Sequence, residues 1–360
     1  MLFIIAPLVI FLAIITFASL LKNEIWWIRI TDFPRSQLTV LALILLIIQL
    51  LFLNISAPST WLLLALTVVS ICYQCWWIIP HTKFYKVEVS QTNHLDAANR
   101  LSIMTANVLT PNRHSDKLIS LVNQYQPDVL VTLESDIWWQ KQLTVIEGDY
   151  PFRMSCPLDN LYGMHLYSKY TLSESNIEYL VEEDVPSIHT LLTLPSGKEI
   201  RMHFLHPAPP SPTNNEESSE RDAELIMVAK SVVKSQIPVI VAGDLNDVAW
   251  SSTTRLFRKI SKLLDPRVGR GMFNTYHADH WFMRWPLDHL FHSKHFKLLD
   301  IRRMPHIGSD HFPLLTTLIF EEPPANATHS GLESDQEDQQ WAQEKLADEH
   351  VNEKEVPSPG

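Results

Sequence analysis

Three stretches near the amino terminus contain no Asp, Glu, Lys or Arg: Met1–Leu21, Gln37–Leu53 and Trp61–Pro80. Nothing else in the chain limits its folded state as much. Apolar runs of roughly 17–21 residues reach about 30 Å as helices, enough to cross a hydrocarbon core. Residues 1–80 are therefore expected to form a three-helix anchor in a multi-pass membrane protein. A cleaved signal peptide would carry a basic start and a small-x-small cleavage site; the first run has neither, and two more follow it. The short polar loop Asn54–Thr60 makes the second and third spans a hairpin, and Trp26, Trp27, Trp76 and Trp77 stand at span ends, where indole rings favour the headgroup layer. Lys22, Arg29 and Arg35 lie in the first loop and Lys83 and Lys86 follow the third span, against no Lys or Arg in the second loop. That bias puts the amino terminus outside and residues 81–360 in the cytoplasm.

The net charge of −11 is unevenly placed. Residues 1–99 hold 5 basic and 4 acidic side chains, residues 100–320 hold 22 and 25, and residues 321–360 hold 2 and 11. The acidity belongs to the tail, and residues 321–360, rich in Glu, Asp, Gln, Pro and Ser, read as a disordered appendage. The central part is nearly neutral, which argues against a surface built for long nucleic acid. Cys72 and Cys75 lie inside the third apolar run and Cys156 stands alone, so neither a disulfide framework nor a zinc site is expected.

Residues 81–99 read as a polar linker, followed by a domain over residues 100–320. Its organising stretch is I-P-V-I-V-A-G-D-L-N-D-V-A-W, residues 237–250, a strand buried on both faces that delivers Gly243, Asp244 and Asn246 at its end. Alternate residues at a strand end point the same way, so Asp244 and Asn246 are expected to reach one ligand, a hard cation bearing a phosphate. An Asx-rich turn would use the same residue types. The same arrangement recurs along the chain. A strand over Leu101–Asn107 ends in Asn107, and a helix over His114–Tyr125 leads to a second strand that Glu134 terminates. The hairpin of Ile188–Leu194 and Glu199–Leu205 ends at His206; Asp288 lies in a strand over Pro286–His292, and Asp310 and His311 precede a last strand, Leu314–Phe320. In a layered sheet these residues would converge at one edge.

T-A-N-V at 105, L-E-S at 133, H-P at 206, G-D-L-N at 243, L-D-H at 287 and S-D-H at 309 follow the order and spacing of the endonuclease/exonuclease/phosphatase superfamily, which residues 98–320 resemble. The resemblance implies a four-layered α/β sandwich, two packed mixed sheets flanked by helices, here preceded by three transmembrane helices. It also implies cleavage of a phosphoester with Mg²⁺, Mn²⁺ being an alternative. Residue by residue, Glu134 looks like the principal metal ligand with Asn107 beside it, and Asp310 assists at the metal. Asp244 and Asn246 resemble the pair that orients the attacking water and holds the phosphate. His311 is similar to the catalytic histidine, Asp288 to the carboxylate that fixes its tautomer, and His206 to the residue that contacts the scissile phosphate. Which of Asp244 and His311 takes the proton of the water is left open. Two positions depart from the pattern: Leu133 replaces a glutamine that often precedes the metal-binding glutamate, and Leu109 replaces an acidic residue of some nuclease members.

Tethering raises effective concentration at a bilayer, so a phosphorylated membrane lipid is the favoured substrate over nucleic acid. The three-span architecture also resembles glycopeptide-resistance membrane proteins thought to act on polyprenyl diphosphates, whose domain faces outward, opposite to the charge count. A membrane-held nuclease is the alternative, with Arg255, Arg258, Lys259 and Lys262 as its candidate cations; a non-catalytic binding module is a third. Oligomeric state is not legible.

Overall fold

The structure is a computed structural model describing residues 1–212, 215–326 and 331–358. Its amino-terminal part contains helices α1 (Leu2–Ala18), α2 (Trp26–Arg29), α3 (Arg35–Phe52) and α4 (Pro58–Ile78). The stretches Leu2–Leu21, Arg35–Phe52 and Pro58–His81 are long and apolar enough to cross a membrane, with mean hydropathy of 2.8, 2.0 and 2.0. Polar contacts join them: Gln49 Nε2 donates to Thr67 Oγ1 at 2.7 Å and Gln74 Nε2 to Thr16 Oγ1 at 3.2 Å, of the kind that holds helices together in lipid. The end of α1, the start of α3 and the end of α4 meet on one side through Arg35, whose guanidinium bonds Gln74 at 3.0 Å and Ser19 at 3.1 Å.

The remainder is an α/β sandwich. One mixed sheet runs β10-β11-β1-β2-β4-β3 and the other β5-β6-β7-β8-β9, with β1 at Arg100–Asn107, β2 at Val129–Leu133, β3 at Phe152–Cys156 and β4 at Met164–Ser168. Then come β5 (Thr171–Glu178), β6 (Ser187–Thr193), β7 (Glu199–Leu205), β8 (Val239–Asp244), β9 (Asp288–His292), β10 (Phe296–Arg303) and β11 (Leu314–Phe320). Strand alternation builds the layers. Ile103, Val129, Val131, Ile240 and Ala242 point between the sheets. Met104, Ala106 and Leu130 point outward onto α5 (Ser115–Tyr125) and α6 (Ile137–Leu143). Val239 and Val241 point onto α7 (Ser219–Val232) and α8 (Ser252–Ser261). Helix, sheet, sheet and helix make the four layers.

Two expectations change. The tail is not a bare acidic appendage, because α9 (Gln336–Asp348) starts at a capping box of Asp335 and Asp338 and packs Ala342 and Leu346 among α7 and α8. Apart from buried Lys345, its charges sit mainly on the outer face, and composition alone hides the apolar i, i+4 pair beneath them. Residues 327–330 and 359–360 of the tail lie outside those described. Nor is the 81–99 segment a free tether: Val89 is fully buried in the inter-sheet core, and Ser90 O accepts from Leu298 N at 2.9 Å along the edge strand β10.

Gly243, the penultimate residue of β8, has φ 143°, and a Cβ there would lie 1.9 Å from the carbonyl oxygen of Leu205 on β7. Gly243→Ala is expected to lower stability by about 3 kcal/mol, read as a fall in the denaturation midpoint of the full chain. An unchanged midpoint would contradict the close strand approach.

Candidate active site

Topology decides which side chains meet. β1 and β2 are parallel, as are β7 and β8, so Asn107, Glu134, His206 and Asp244 all emerge at strand carboxyl ends. β9 and β11 run antiparallel to β8 and β1, so they start at that same edge. Asp288 is the first residue of β9 and faces Asp244 in register, while Asp310 and His311 immediately precede β11.

Asn107 bridges the two sheets. Its Nδ2 donates to Glu134 Oε1 at 2.7 Å and to Asp244 Oδ2 at 3.2 Å, and its Oδ1 accepts from Leu109 N. His311 lies between two carboxylates, Nδ1 at 2.8 Å from Asp288 Oδ2 and Nε2 at 3.4 Å from Asp244 Oδ2. His206 Nε2 is 4.0 Å from the same Asp244 oxygen. Asn107, His206, Asp244, Asp288 and His311 are all buried. Asn246 and Asp310 join less directly. Asn246 does not continue the strand; at φ 51° it turns back, its N–H donating to Asp244 Oδ1 at 3.0 Å and its Nδ2 to Pro207 O at 3.0 Å. The i, i+2 alternation expected of Asp244 and Asn246 is thus replaced by an Asx turn. Asp310 is half-buried, and Ser309 Oγ donates to it at 3.3 Å.

Burial opposes ionisation of Asp244, but the charge of His311 and the hydrogen bonds from Asn246 and Asn107 hold its carboxyl below the usual range. Burial lowers His206 to about 4, so it is neutral. Glu134 is raised to about 7, chiefly by burial, against the hydrogen bond from Asn107, with Asp310 and Asp244 adding to the rise. Its Oε2 is buried without a hydrogen-bond partner, and Glu134 holds φ 56°. An orphaned buried carboxylate oxygen, with the charges of Asp310 and Asp244 near enough to raise its pKa, fits a hard divalent cation. Asn107 would have to rotate its amide to offer oxygen there. Among the described residues, the His, Asp and Glu side chains whose donor atoms lie within 4.8 Å of one another are Asp244, Asp288 and His311; both nitrogens of His311 already face those two carboxylates.

Without a cation, stability should fall as pH rises. Folded Glu134 keeps its proton to about 7 against an ordinary 4.5, and folded His311, where Asp244 and Asp288 outweigh burial, keeps its proton to about 10 against an ordinary 6.5. Each group binds more protons folded than unfolded inside its window, which lowers stability as the pH climbs through it. In chelator, the Tm of the full chain is expected to drop from about pH 5 to about pH 8, and to drop less in Glu134→Gln. An equal drop in both would contradict the assignment.

Sequence reasoning missed Tyr276 and Thr275. The Tyr276 ring lies 4.9 Å from that of His311, and burial together with Asp310, Asp244 and Glu134 pushes its hydroxyl up. Thr275 Oγ1 accepts from Asp288 N at 3.2 Å. Both sit in an irregular loop with no periodicity or motif to flag them. Tyr162 was also missed; its ring lies 5.5 Å from that of His206. Of the histidines near the site, His289 is a core group bonded to Arg267 and to Asp247 O at 2.6 and 2.9 Å.

Residues 104–311 match the model of the Endonuclease/Exonuclease/phosphatase family, more than half of the chain. No curated protein matches. Among solved structures, the human Nocturnin catalytic domain with bound sulfate anion is 17% identical, covering 63% of this chain and 97% of that one with a TM-score of 0.50. An endonuclease/exonuclease/phosphatase from Beutenbergia cavernae DSM 12333 is 13% identical, covering 62% and 72% with a TM-score of 0.50. These likenesses concern the fold alone; the family match over residues 104–311 places the chain in the endonuclease/exonuclease/phosphatase family, whose members hydrolyse phosphodiesters and phosphate esters.

Proposed function

We propose a membrane-anchored, divalent-metal-dependent phosphoesterase that hydrolyses a lipid-linked phosphate ester or diphosphate. The observation that carries this reading is the position of Tyr276. Its ring contacts His311 on one side and on the other packs in an apolar cluster with Phe33, Trp77 and Ile78, at the start of α3 and the end of α4. Tyr276 stacks on Trp285, whose ring lies 5.6 Å from that of Phe33, so two aromatic side chains link His311 to the residue just ahead of α3. The loop after Tyr276 adds to this: Phe282 O accepts from Gln37 Nε2 of α3 at 2.9 Å, while Trp281 is 79% and Phe282 54% exposed. Aromatic residues at that depth suit a headgroup layer.

Glu134, with Asn107 and Asp310, would hold Mg²⁺ or Mn²⁺, and the ion when bound supplies charge neutralisation on the phosphoryl oxygens. Both His311 nitrogens face carboxylates, so the ring serves as a donor and leaves Asp244 to accept the proton of the attacking water. Asp288 fixes the orientation of the His311 ring. Neutral His206 and the Asn246 amide donate hydrogen bonds at the phosphate. Two of the four cations that a nuclease would use are engaged elsewhere: Arg258 with Glu88 and Lys259 with Asp338.

The test is phosphate release by the full chain in mixed micelles. A long-chain polyprenyl diphosphate is expected to turn over at least about tenfold faster than a soluble short-chain one, with plasmid DNA left intact. DNA cleavage at a comparable rate would overturn the lipid assignment. Trp281→Ser with Phe282→Ser should slow turnover of the lipid in vesicles about tenfold and leave a soluble diester unaffected; equal loss on both would mean the loop acts on the site itself.

A further inference from the structure

Beyond α4 the chain runs from Ile79 to Glu88 beneath α8 and leaves a cavity of about 560 Å³. Its lining is sharply divided. Trp76, Ile79 and Val87 give an apolar wall that continues the surface of the third apolar helix, while Lys86, Arg255 and Arg258 supply cations. Arg258 is closed by Glu88, its Nη2 donating to both carboxylate oxygens at 2.6 and 2.5 Å. Arg255 is not closed. Its guanidinium lies 5.1 Å over the Trp77 ring, and among the described residues it has neither a side-chain hydrogen bond nor a carboxylate within ion-pair distance. Lys86 is exposed and likewise without an ion pair among the described residues. The rim is aromatic and exposed, with Trp76 at 73%, Phe84 at 95% and Tyr85 at 48%. A half-buried guanidinium with no anion is an unbalanced charge, and burial together with Arg258 pushes it below its usual range.

We propose that this cavity binds the phosphate headgroup of an anionic phospholipid, Arg255 and Lys86 holding the phosphate and Trp76 and Ile79 flanking the acyl chains. A free phosphate would satisfy the cations but leave the apolar wall and aromatic rim bare, whereas a lipid matches both halves. None of these side chains belongs to the catalytic group at Asp244. The inference rests on reading α1, α3 and α4 as membrane spans.

Native mass spectrometry of the full chain in detergent tests it, with phosphatidylglycerol, phosphatidylcholine of the same acyl chains, and inorganic phosphate as probes. Phosphatidylglycerol is expected to bind about tenfold tighter than phosphatidylcholine. Arg255→Gln should abolish the difference and Lys86→Gln, an exposed change that leaves the fold intact, should reduce it, while Lys262→Gln should not. Equal affinity for the two lipids, a preference that survives both Arg255→Gln and Lys86→Gln, or phosphate displacing phosphatidylglycerol from the site, would overturn the proposal. Recovery of the chain in the soluble fraction without detergent would instead refute the membrane-span reading beneath it.

Discussion

Asp288→Asn is expected to lower kcat on a soluble phosphodiester by roughly 10³-fold or more, with KM little changed. Asp288 is fully enclosed, and its Oδ2 sits 2.8 Å from His311 Nδ1. The amide has nearly the same shape, so the fold should persist, but the charge that holds His311 as a two-sided donor disappears. With only Asp244 left as a partner, the ring can turn or release its proton, and the hydrogen bond it would offer at the phosphate goes with it. A positioning role of this kind shows in kcat and in the imidazole resonances seen by NMR; a merely structural one would show in Tm. A loss of less than about tenfold in kcat would contradict the role given to Asp288.

Asp222→Ala should be the most destabilising single change outside the active site, by about 3–5 kcal/mol, a fall of roughly 10 °C in Tm. The Asp222 carboxylate is buried against three cations from three parts of the chain: Arg221 at 2.8 Å, Lys345 of α9 at 2.6 Å and Arg29 of α2 at 3.5 Å. Burial opposes its charge, yet Lys345, Arg221 and Arg29 hold its pKa far below the usual carboxylate range. Removing it leaves those cations enclosed with weaker compensation, only Asp247 near Arg29 and Arg221, at 3.7 and 3.5 Å, and Glu24 beside Lys345. The effect should reach the active site, because Arg221 also donates to the backbone oxygen of Asn246 at 2.8 Å. Thermal unfolding and kcat of the full-length variant test both; a shift of under about 1 kcal/mol would show the network to be dispensable. A fragment of residues 98–320, lacking both Arg29 and Lys345, should lose much of the same stability.

That network also marks where sequence reading stopped. The layered fold was legible because β1, β2 and β8 are short apolar runs with a polar residue at each end, and alternation assigns their faces without a structure. Emergence of Asn107 and Glu134 at one edge follows from the parallel pairing of β1 and β2, and of Asp244 from that of β8 with β7, while His311 reaches the same edge because β11 runs antiparallel to β1. What composition concealed were contacts made across great sequence distance by residues that look like solvated charges. Lys345 sits in an acid-rich tail and Arg29 in a loop between apolar runs, and neither position carries a local pattern pointing at Asp222. The Asn246 turn competes in the sequence with a continued strand, and the strand reading gives way because it carries alternation two residues beyond Asp244, where β8 ends. Tyr276 and Thr275 were invisible because irregular loops have no period, and only the packing of the loop against His311 reveals them.

The central claim is that Glu134, Asn107 and Asp310 seat a cation beside Asp244 and His311, and that phosphoester hydrolysis depends on it. The most direct measurement is hydrolysis of a generic phosphodiester by the full chain in micelles, with Mg²⁺ and with chelator, for the wild-type protein and for Glu134→Gln. Turnover is expected only with Mg²⁺, reduced at least about 100-fold in the variant while its far-ultraviolet circular dichroism is unchanged. Equal turnover in chelator, or an undiminished rate in Glu134→Gln, would contradict the account.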